Sequence, residues 1–459
     1  MAAIFGSRGV SARRLWGCAV VAASVLVRWP APVPSIADPE GIDEAFAAFW
    51  AAETPAAAAS RVPAIVATGV PFDDALARLR KGRPYSSNVV RGRRDLTHRI
   101  AVGRGPGVAH PYTVVVPESY DPSRSYPVRV QLHGGVGREL RGEFGTAGDA
   151  VTRIPGTFDQ IYVLPNAWDQ SMWWQESQGR NLPAVLDRVK RTYNVDENRV
   201  YLTGISDGAT GAWFFAFRDP TAFASFLPLN GQMLVLSNPS VLPDGDMYPS
   251  NAANKPFFAV SSGKDPLYPA SGVKPFVDHL RELGAEVVYH VQEEAGHNTN
   301  WWPEERAAFE GFVNAHPRNP LPDRLSWQTE RVDRYNRIDW LVIDQLGHVG
   351  GEKTFAEANV VERNGRKLQI FPHASLSGRV DLVRRGNSVE ATTNGVRRFT
   401  LLLSPSQFDL GQPVTVTVNG RVAFRQRVTP SLETLLEWAA RDNDRTALYA
   451  AALQIEVGK

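Results

Sequence analysis

Cysteine is almost missing. The 459-residue chain carries one, Cys18, so no disulfide can close within it and the fold must rest on its core. A long apolar run is missing as well: the stretch from Leu15 to Val27 falls short of the ~20 residues a spanning helix needs, which argues against a stable membrane anchor. Neither sign of charge is in excess, with 50 Lys and Arg against 48 Asp and Glu and a formal net charge of +2. No basic patch stands out, which argues against nucleic acid as a partner. Beyond residue 37 there is no internal repeat and no low-complexity tract. With 43% hydrophobic and 21% charged residues the composition is that of a globular protein, not of a disordered chain.

What is there begins with an export pattern. Arg8, Arg13 and Arg14 precede the apolar run, and Ser35-Ile36-Ala37 offers small residues for cleavage, so residues 1–37 read as a secretory signal and the protein as periplasmic or extracellular. Arg13-Arg14 leaves a twin-arginine route open, although the flanking residues match that signal poorly. Most of the apolar run follows Cys18 instead of preceding it, which argues against a lipoprotein anchor. Without the signal's four arginines, 46 basic residues face 48 acidic ones, so the mature chain is near neutral.

The remaining length exceeds one hydrophobic core, so more than one domain is expected. Residues 38–92 are alanine-rich with scattered apolar positions and read as two short helices split by prolines, an accessory segment packed on the main domain. From 93 to 319 short apolar runs alternate with helical or loop stretches, with strands expected at 96–102, 112–116, 128–132, 161–164, 199–203, 225–229, 257–260 and 286–291. The first two, around Gly-Pro-Gly, form an antiparallel pair, and the rest a mostly parallel, doubly wound α/β sheet. Leu182, Val185, Leu186, Val189 and Tyr193 recur at helical spacing, as do Phe276, Leu280 and Leu283. One run fits less well: Arg129 and Gln131 alternate with Val128, Val130 and Leu132, where a central parallel strand is expected to be apolar on both faces. Residues 320–459 read as a smaller β-rich domain with hairpins around Asn364-Gly365 and Asn419-Gly420 and one helix near Ser431 to Arg441.

The chain is organised around Gly204-Ile205-Ser206-Asp207-Gly208, which follows the run Val200 to Thr203 and leads into helix-forming sequence. This is the pattern of a serine nucleophile on a tight strand-to-helix turn. Alone it is a weak signal, expected by accident in ~10–20% of chains this long. Its partners should follow in the order acid, then histidine, each just after a strand. Asp265, after Phe257 to Val260, and His297, after Val287 to Val291, stand in those places, although a turn aspartate and a buried imidazole are the plain alternatives for each taken singly. Glu293 and Glu294 are second choices for the acid. His290 and His279 fall inside elements and do not project toward the serine. Acyl transfer also needs donors for a developing oxyanion. His133-Gly134-Gly135-Val136-Gly137 follows the 128–132 strand, so the N–H groups of Asp207 and of either Gly135 or Val136 are the candidates, with His133 bracing the loop.

His-Gly-Gly, Gly-Ile-Ser-Asp-Gly, Gly-Lys-Asp-Pro-Leu-Tyr-Pro and Ala-Gly-His together resemble the α/β-hydrolase superfamily. More narrowly, they look like secreted esterases of the polyhydroxybutyrate depolymerase and feruloyl or acetylxylan esterase type, and they are also similar to prolyl oligopeptidase catalytic domains. The resemblance covers about residues 95–318. It implies Ser206 as nucleophile, His297 as general base and then acid, Asp265 as its orienting partner, and no metal or cofactor. The expected activity is cleavage of carboxylic esters through an acyl-enzyme, on substrates that include polymer- or glycan-linked esters. A serine peptidase of the prolyl oligopeptidase type is the alternative enzyme, and a glycan-binding hydrolase relative without activity the alternative outside enzymes.

Tryptophans crowd the same loops. Trp173, Trp174 and Trp301 are candidates for stacking on a sugar or aromatic acyl group, with core packing as the equal alternative. The C-terminal domain departs from simple esterases. It is expected either to position bulky substrate or to cover an apolar face of the hydrolase.

Overall fold

The computed structural model describes residues 39–101, 107–140, 159–347, 359–363, 365–373 and 375–458. The expected signal, residues 1–37, lies outside them, as does Asn364 of the first hairpin turn. Among the described residues no helix is long and apolar enough to cross a membrane.

Four helices open the described chain: α1 (Pro39–Ala51), α2 (Pro55–Ala59), α3 (Val62–Ala67) and α4 (Phe72–Lys81). Prolines at or near the starts of α2 and α3 break what the sequence reads as fewer, longer helices. Then come β1 (Gly92–Ile100), β2 (Val108–Val116), β3 (Tyr126–Leu132), β4 (Ile161–Pro165), α5 (Glu176–Thr192), β5 (Val195–Ile205), α6 (Asp207–Arg218), β6 (Ser225–Leu229), β7 (Phe257–Ser262), α7 (Ala270–Glu282), β8 (Val287–Gln292) and α8 (Trp302–Ala315). These eight strands form one sheet in the order β1-β2-β4-β3-β5-β6-β7-β8, with β1 and β2 antiparallel and the strands from β4 to β8 parallel. With its helices it is an α/β-hydrolase fold.

Burial follows the sequence pattern. In α5 the stripe Leu182, Val185, Leu186 and Val189 faces the sheet, and α7 does the same with Val273, Phe276, Val277 and Leu280. Helix α6 is buried from Gly208 to its end, and Trp213, Phe214, Phe215 and Phe217 explain why: a helix apolar all round has no solvent face to offer. The awkward residue of β3 finds its own partners. The Arg129 guanidinium lies over Tyr162, Tyr201 and Phe309 and pairs with Glu310 at 2.7 Å, so a central strand carries a cation by surrounding it with aromatic faces.

The β-rich part holds β9 (Arg324–Thr329), β10 (Arg337–Ile338), β11 (Leu341–Leu346), β12 (Val360–Arg363), β13 (Arg366–Gln369), β14 (Gly378–Arg385), β15 (Ser388–Asn394), β16 (Val396–Leu403), β17 (Val414–Val418), β18 (Arg421–Gln426), helix α9 (Leu432–Asp442) and β19 (Ala451–Glu456). A five-stranded sheet, β18-β17-β15-β14-β9, and a four-stranded one, β10-β11-β16-β19, share a core built on Trp327, Trp340 and Phe399. At the β17–β18 turn Asn419 and Gly420 have φ of 50° and 79°, the paired left-handed geometry that Asn-Gly favours.

The N-terminal helices differ from expectation. Their apolar faces, with Ile42, Phe46, Phe49, Ile65 and Leu79, pack on Leu435, Leu436 and Leu448 of and beside α9, not on the eight-stranded sheet. The two ends of the described chain therefore form one helical core. Rim bonds such as Arg191 to the Ala52 carbonyl, 3.0 Å, tie it to α5.

The β-rich part grips the α/β unit through buried ion pairs: Arg218 with Glu330 at 2.6 Å, Lys255 with Asp339 at 3.2 Å and Arg318 with Asp444 at 2.5 Å. Arg218 ends α6, Lys255 precedes β7 and Arg318 follows α8, so these pairs gather at the edge where the parallel strands begin. One loop, 331–335, climbs the outer face of α5 and α6, where Tyr335 donates to Asp244 at 2.7 Å and Arg334 pairs with Glu176 at 3.2 Å.

Candidate active site

Strand β5 ends at Ile205 and α6 starts at Asp207, leaving Ser206 alone to make the turn. It does so with φ 58° and ψ −122°, a region that a side chain adopts only under constraint. Close approach enforces it. A Cβ on Gly204 would stand 2.0 Å from the Gly208 carbonyl oxygen, and one on Gly208 would stand 2.1 Å from that of Leu132. Both glycines are needed for the helix to start this close to the strand. Ser206 N–H is fixed on the Leu229 carbonyl at 3.0 Å, and the side chain stands at the carboxyl edge of the sheet.

His297 Nε2 lies 2.9 Å from Ser206 Oγ, and its Nδ1 lies 2.7 Å from Asp265 Oδ2. Those partners set the tautomer: Nδ1–H donates to the carboxylate and Nε2 accepts from the hydroxyl. The Asp265 side chain is fully buried, while that of His297 is 25% exposed, so the acid is sealed and the base can meet a substrate. Asp265 Oδ1 accepts the N–H groups of Leu267 at 2.8 Å and Tyr268 at 2.9 Å, which fixes the carboxylate independently of the imidazole. The Tyr268 ring meets His297 edge to face at 5.8 Å. Burial first, then the charges of Asp207 and Asp265, push its phenol up, so it stays a neutral donor. The three sequence candidates Ser206, Asp265 and His297 are thus brought together. The rivals are elsewhere: Glu294 pairs with Lys264, and His290 pairs with Glu305 at 2.7 Å.

The loop after β3 abuts the serine, since a Cβ on Gly134 would stand 2.8 Å from Ser206 Cβ. Asp207 is the first residue of α6, so its N–H has no carbonyl within the helix and points out at the positive end of the dipole. Of the two loop candidates, Val136 is corrected: its N–H donates to Asp207 Oδ2 at 2.9 Å and is not free for a substrate. Gly135, with φ 72°, remains. His133 braces the loop. Its Nε2 accepts the Ala167 N–H at 3.1 Å and its Nδ1–H faces the Gly134 carbonyl at 2.9 Å, while burial lowers its pKa and keeps it neutral.

The tryptophan candidates are also corrected. Trp173 is 0% exposed, Trp174 2% and Trp301 4%. Trp173 Nε1 donates to the His133 carbonyl at 2.8 Å and Trp174 Nε1 to that of Val241 at 2.9 Å, so both hold loops in place. Trp301 packs with Leu229, Phe258 and Phe309. None of the three presents a face for stacking.

Sequence reasoning passed over Asn230. It follows β6 with φ 49°, accepts from Ser262 Oγ at 3.0 Å and donates to the Asn298 carbonyl at 2.6 Å, joining the acid strand to the histidine loop. Its place at a strand end, before Gly231, was the available signal. Among the described residues no group of three or more His, Cys, Asp and Glu side chains could hold a metal ion.

No family model matches the chain, and no curated protein matches it. Solved structures do. A thermostable esterase is 22% identical over 49% of this chain and 63% of its own, with a TM-score of 0.38. The acylaminoacyl peptidase of Pyrococcus horikoshii is 16% identical over 49% of this chain and 41% of its own, with a TM-score of 0.37. A ferulic acid esterase is 18% identical over 49% of this chain and 99% of its own, with a TM-score of 0.36. The chain therefore spans less than two thirds of the length of the first two.

Proposed function

We propose that this protein is a serine hydrolase that cleaves carboxylic esters through an acyl-enzyme. The observation that carries the reading is the continuous relay from Asp265 through His297 to Ser206, at 2.7 and 2.9 Å, on a serine held at φ 58°. Ser206 Oγ attacks the ester carbonyl while His297 Nε2 takes its proton, and Asp265 holds the imidazolium that forms. Charge gathers on the carbonyl oxygen, where the N–H groups of Asp207 and Gly135 receive it. Collapse expels the alcohol, which takes its proton from His297, and water repeats the sequence on the acyl-enzyme. The relay needs no metal. The export pattern of residues 1–37 supports action outside the cytoplasm.

The test is Ser206→Ala. The variant should fold with an unchanged melting temperature, lose turnover of p-nitrophenyl acetate and lose labelling by a fluorophosphonate. Labelling that persists in the variant would overturn the assignment. The wild-type protein should turn over the nitrophenyl ester faster than the matching peptide anilide, and the reverse order would make it a peptidase.

A further inference from the structure

The acid that follows the nucleophile does not face the histidine. Asp207 Oδ2 reaches across to the loop after β3 and accepts the Val136 N–H at 2.9 Å. That bond joins the two halves of the oxyanion site, because Asp207 N–H is one donor and Gly135 N–H, on the residue before Val136, is the other. Gly135 has φ 72°, a conformation open to glycine but not fixed by it, and open space surrounds the position its Cβ would take. Packing therefore does not set the direction of its N–H. What fixes the loop are bonds on either side: His133 is held through its carbonyl by Trp173 and through its ring by Ala167 N–H, and Val136 is held by Asp207.

We propose, resting on the serine-hydrolase reading, that the Asp207 carboxylate is a positioning residue that clamps the Val136 N–H and so aims the Gly135 N–H at the oxyanion. A donor that must find its direction during the reaction adds reorganisation to the barrier, and one already aimed does not. The clamp acts on the transition state and not on substrate binding, so its loss falls on kcat. A carboxylate is not required as such. An asparagine Oδ1 at the same place accepts the same N–H, whereas alanine offers nothing.

Asp207→Ala and Asp207→Asn, compared in the full chain, test this. Hydrogen exchange on the peptide containing residues 134–136 should speed up in Asp207→Ala and stay slow in Asp207→Asn. With p-nitrophenyl acetate, Asp207→Ala should lose about 10- to 100-fold in kcat with KM within about twofold, below the 10²–10³ of a deleted donor, and Asp207→Asn should recover most of that loss. An active wild type with an unimpaired Asp207→Ala, a loss confined to KM, or an asparagine variant as damaged as the alanine one would overturn the clamp alone. A wild type that neither turns over ester nor takes up a fluorophosphonate would overturn the serine-hydrolase reading and the clamp with it.

Discussion

Both oxygens of Asp265 are held: one accepts two backbone N–H groups and the other meets His297. Replacement by asparagine keeps the shape but can turn an N–H₂ toward the imidazole, which favours the wrong tautomer. Asp265→Asn should therefore lose about 10⁴-fold in kcat with the fold intact. Glu294→Gln, on a carboxylate paired with Lys264 at the surface, should lose less than twofold, and a reversal of that order in steady-state assays would move the acid to Glu294. At this scale the candidate residues are legible because each stands at a strand end, where α/β sheets place their chemistry. Trp173, Trp174 and Trp301 were not: an aromatic cluster after a strand does not say which way its rings turn, and here they turn inward. The choice between Gly135 and Val136 is open in the sequence for a related reason, since the Val136 N–H is taken by a carboxylate far along the chain.

Helices and strands were legible where one face is buried, as in the 3.6-residue stripes of α5 and α7, and less so where the neighbours decide. Arg129 looked wrong for a central strand until Tyr162, Tyr201 and Phe309 stood around it. The lower end of α6 carries a similar local conflict. Asp219 caps it, at the negative end of the helix dipole, with its carboxylate facing Arg337, Arg441 and Asp442. Burial, which the arginines only partly offset, raises its pKa from 3.8 to about 6. A carboxyl whose folded pKa lies above its unfolded value binds its proton more tightly in the folded state, so stability from this group is full below pH 3.8 and is lost as pH rises through about 6. Asp219→Asn should then stabilise the protein at pH 7.5 by up to about 2 kcal/mol, allowing for its partial contact with solvent, and by nothing at pH 4. Melting curves at the two pH values measure it, and an equal shift at both would show that the carboxyl's charge is not the cause.

Across the whole molecule, the three buried pairs that join the β-rich part to the ends of α6 and α8 and the start of β7 lie at the edge of the sheet opposite Ser206, and this bears on what that part is for. A device for presenting bulky substrate belongs near the nucleophile, whereas the pairs Arg218–Glu330, Lys255–Asp339 and Arg318–Asp444 lie where the strands begin. Val361, Ile370 and Phe371 also enter the core of the eight-stranded sheet, with the Phe371 ring 5.8 Å from that of Phe217. The sequence could not reveal this, because a hairpin reads the same whether it packs on its own domain or on another. Nor could it show that the N-terminal helices depend on α9, a partner more than 350 residues away. Helices of 5, 6, 10 and 13 residues do not persist in water unsupported. Truncation after Asn319 removes α9 from that core, bares Phe217 and leaves three buried cations without their carboxylates. The shortened chain is therefore expected to aggregate, or to lose activity equally on p-nitrophenyl acetate and on a polymeric ester. If it instead stays monomeric, melts cooperatively and hydrolyses the small ester at the full-length rate while failing on the polymer, the β-rich part recruits substrate and its grip on the sheet is incidental to stability.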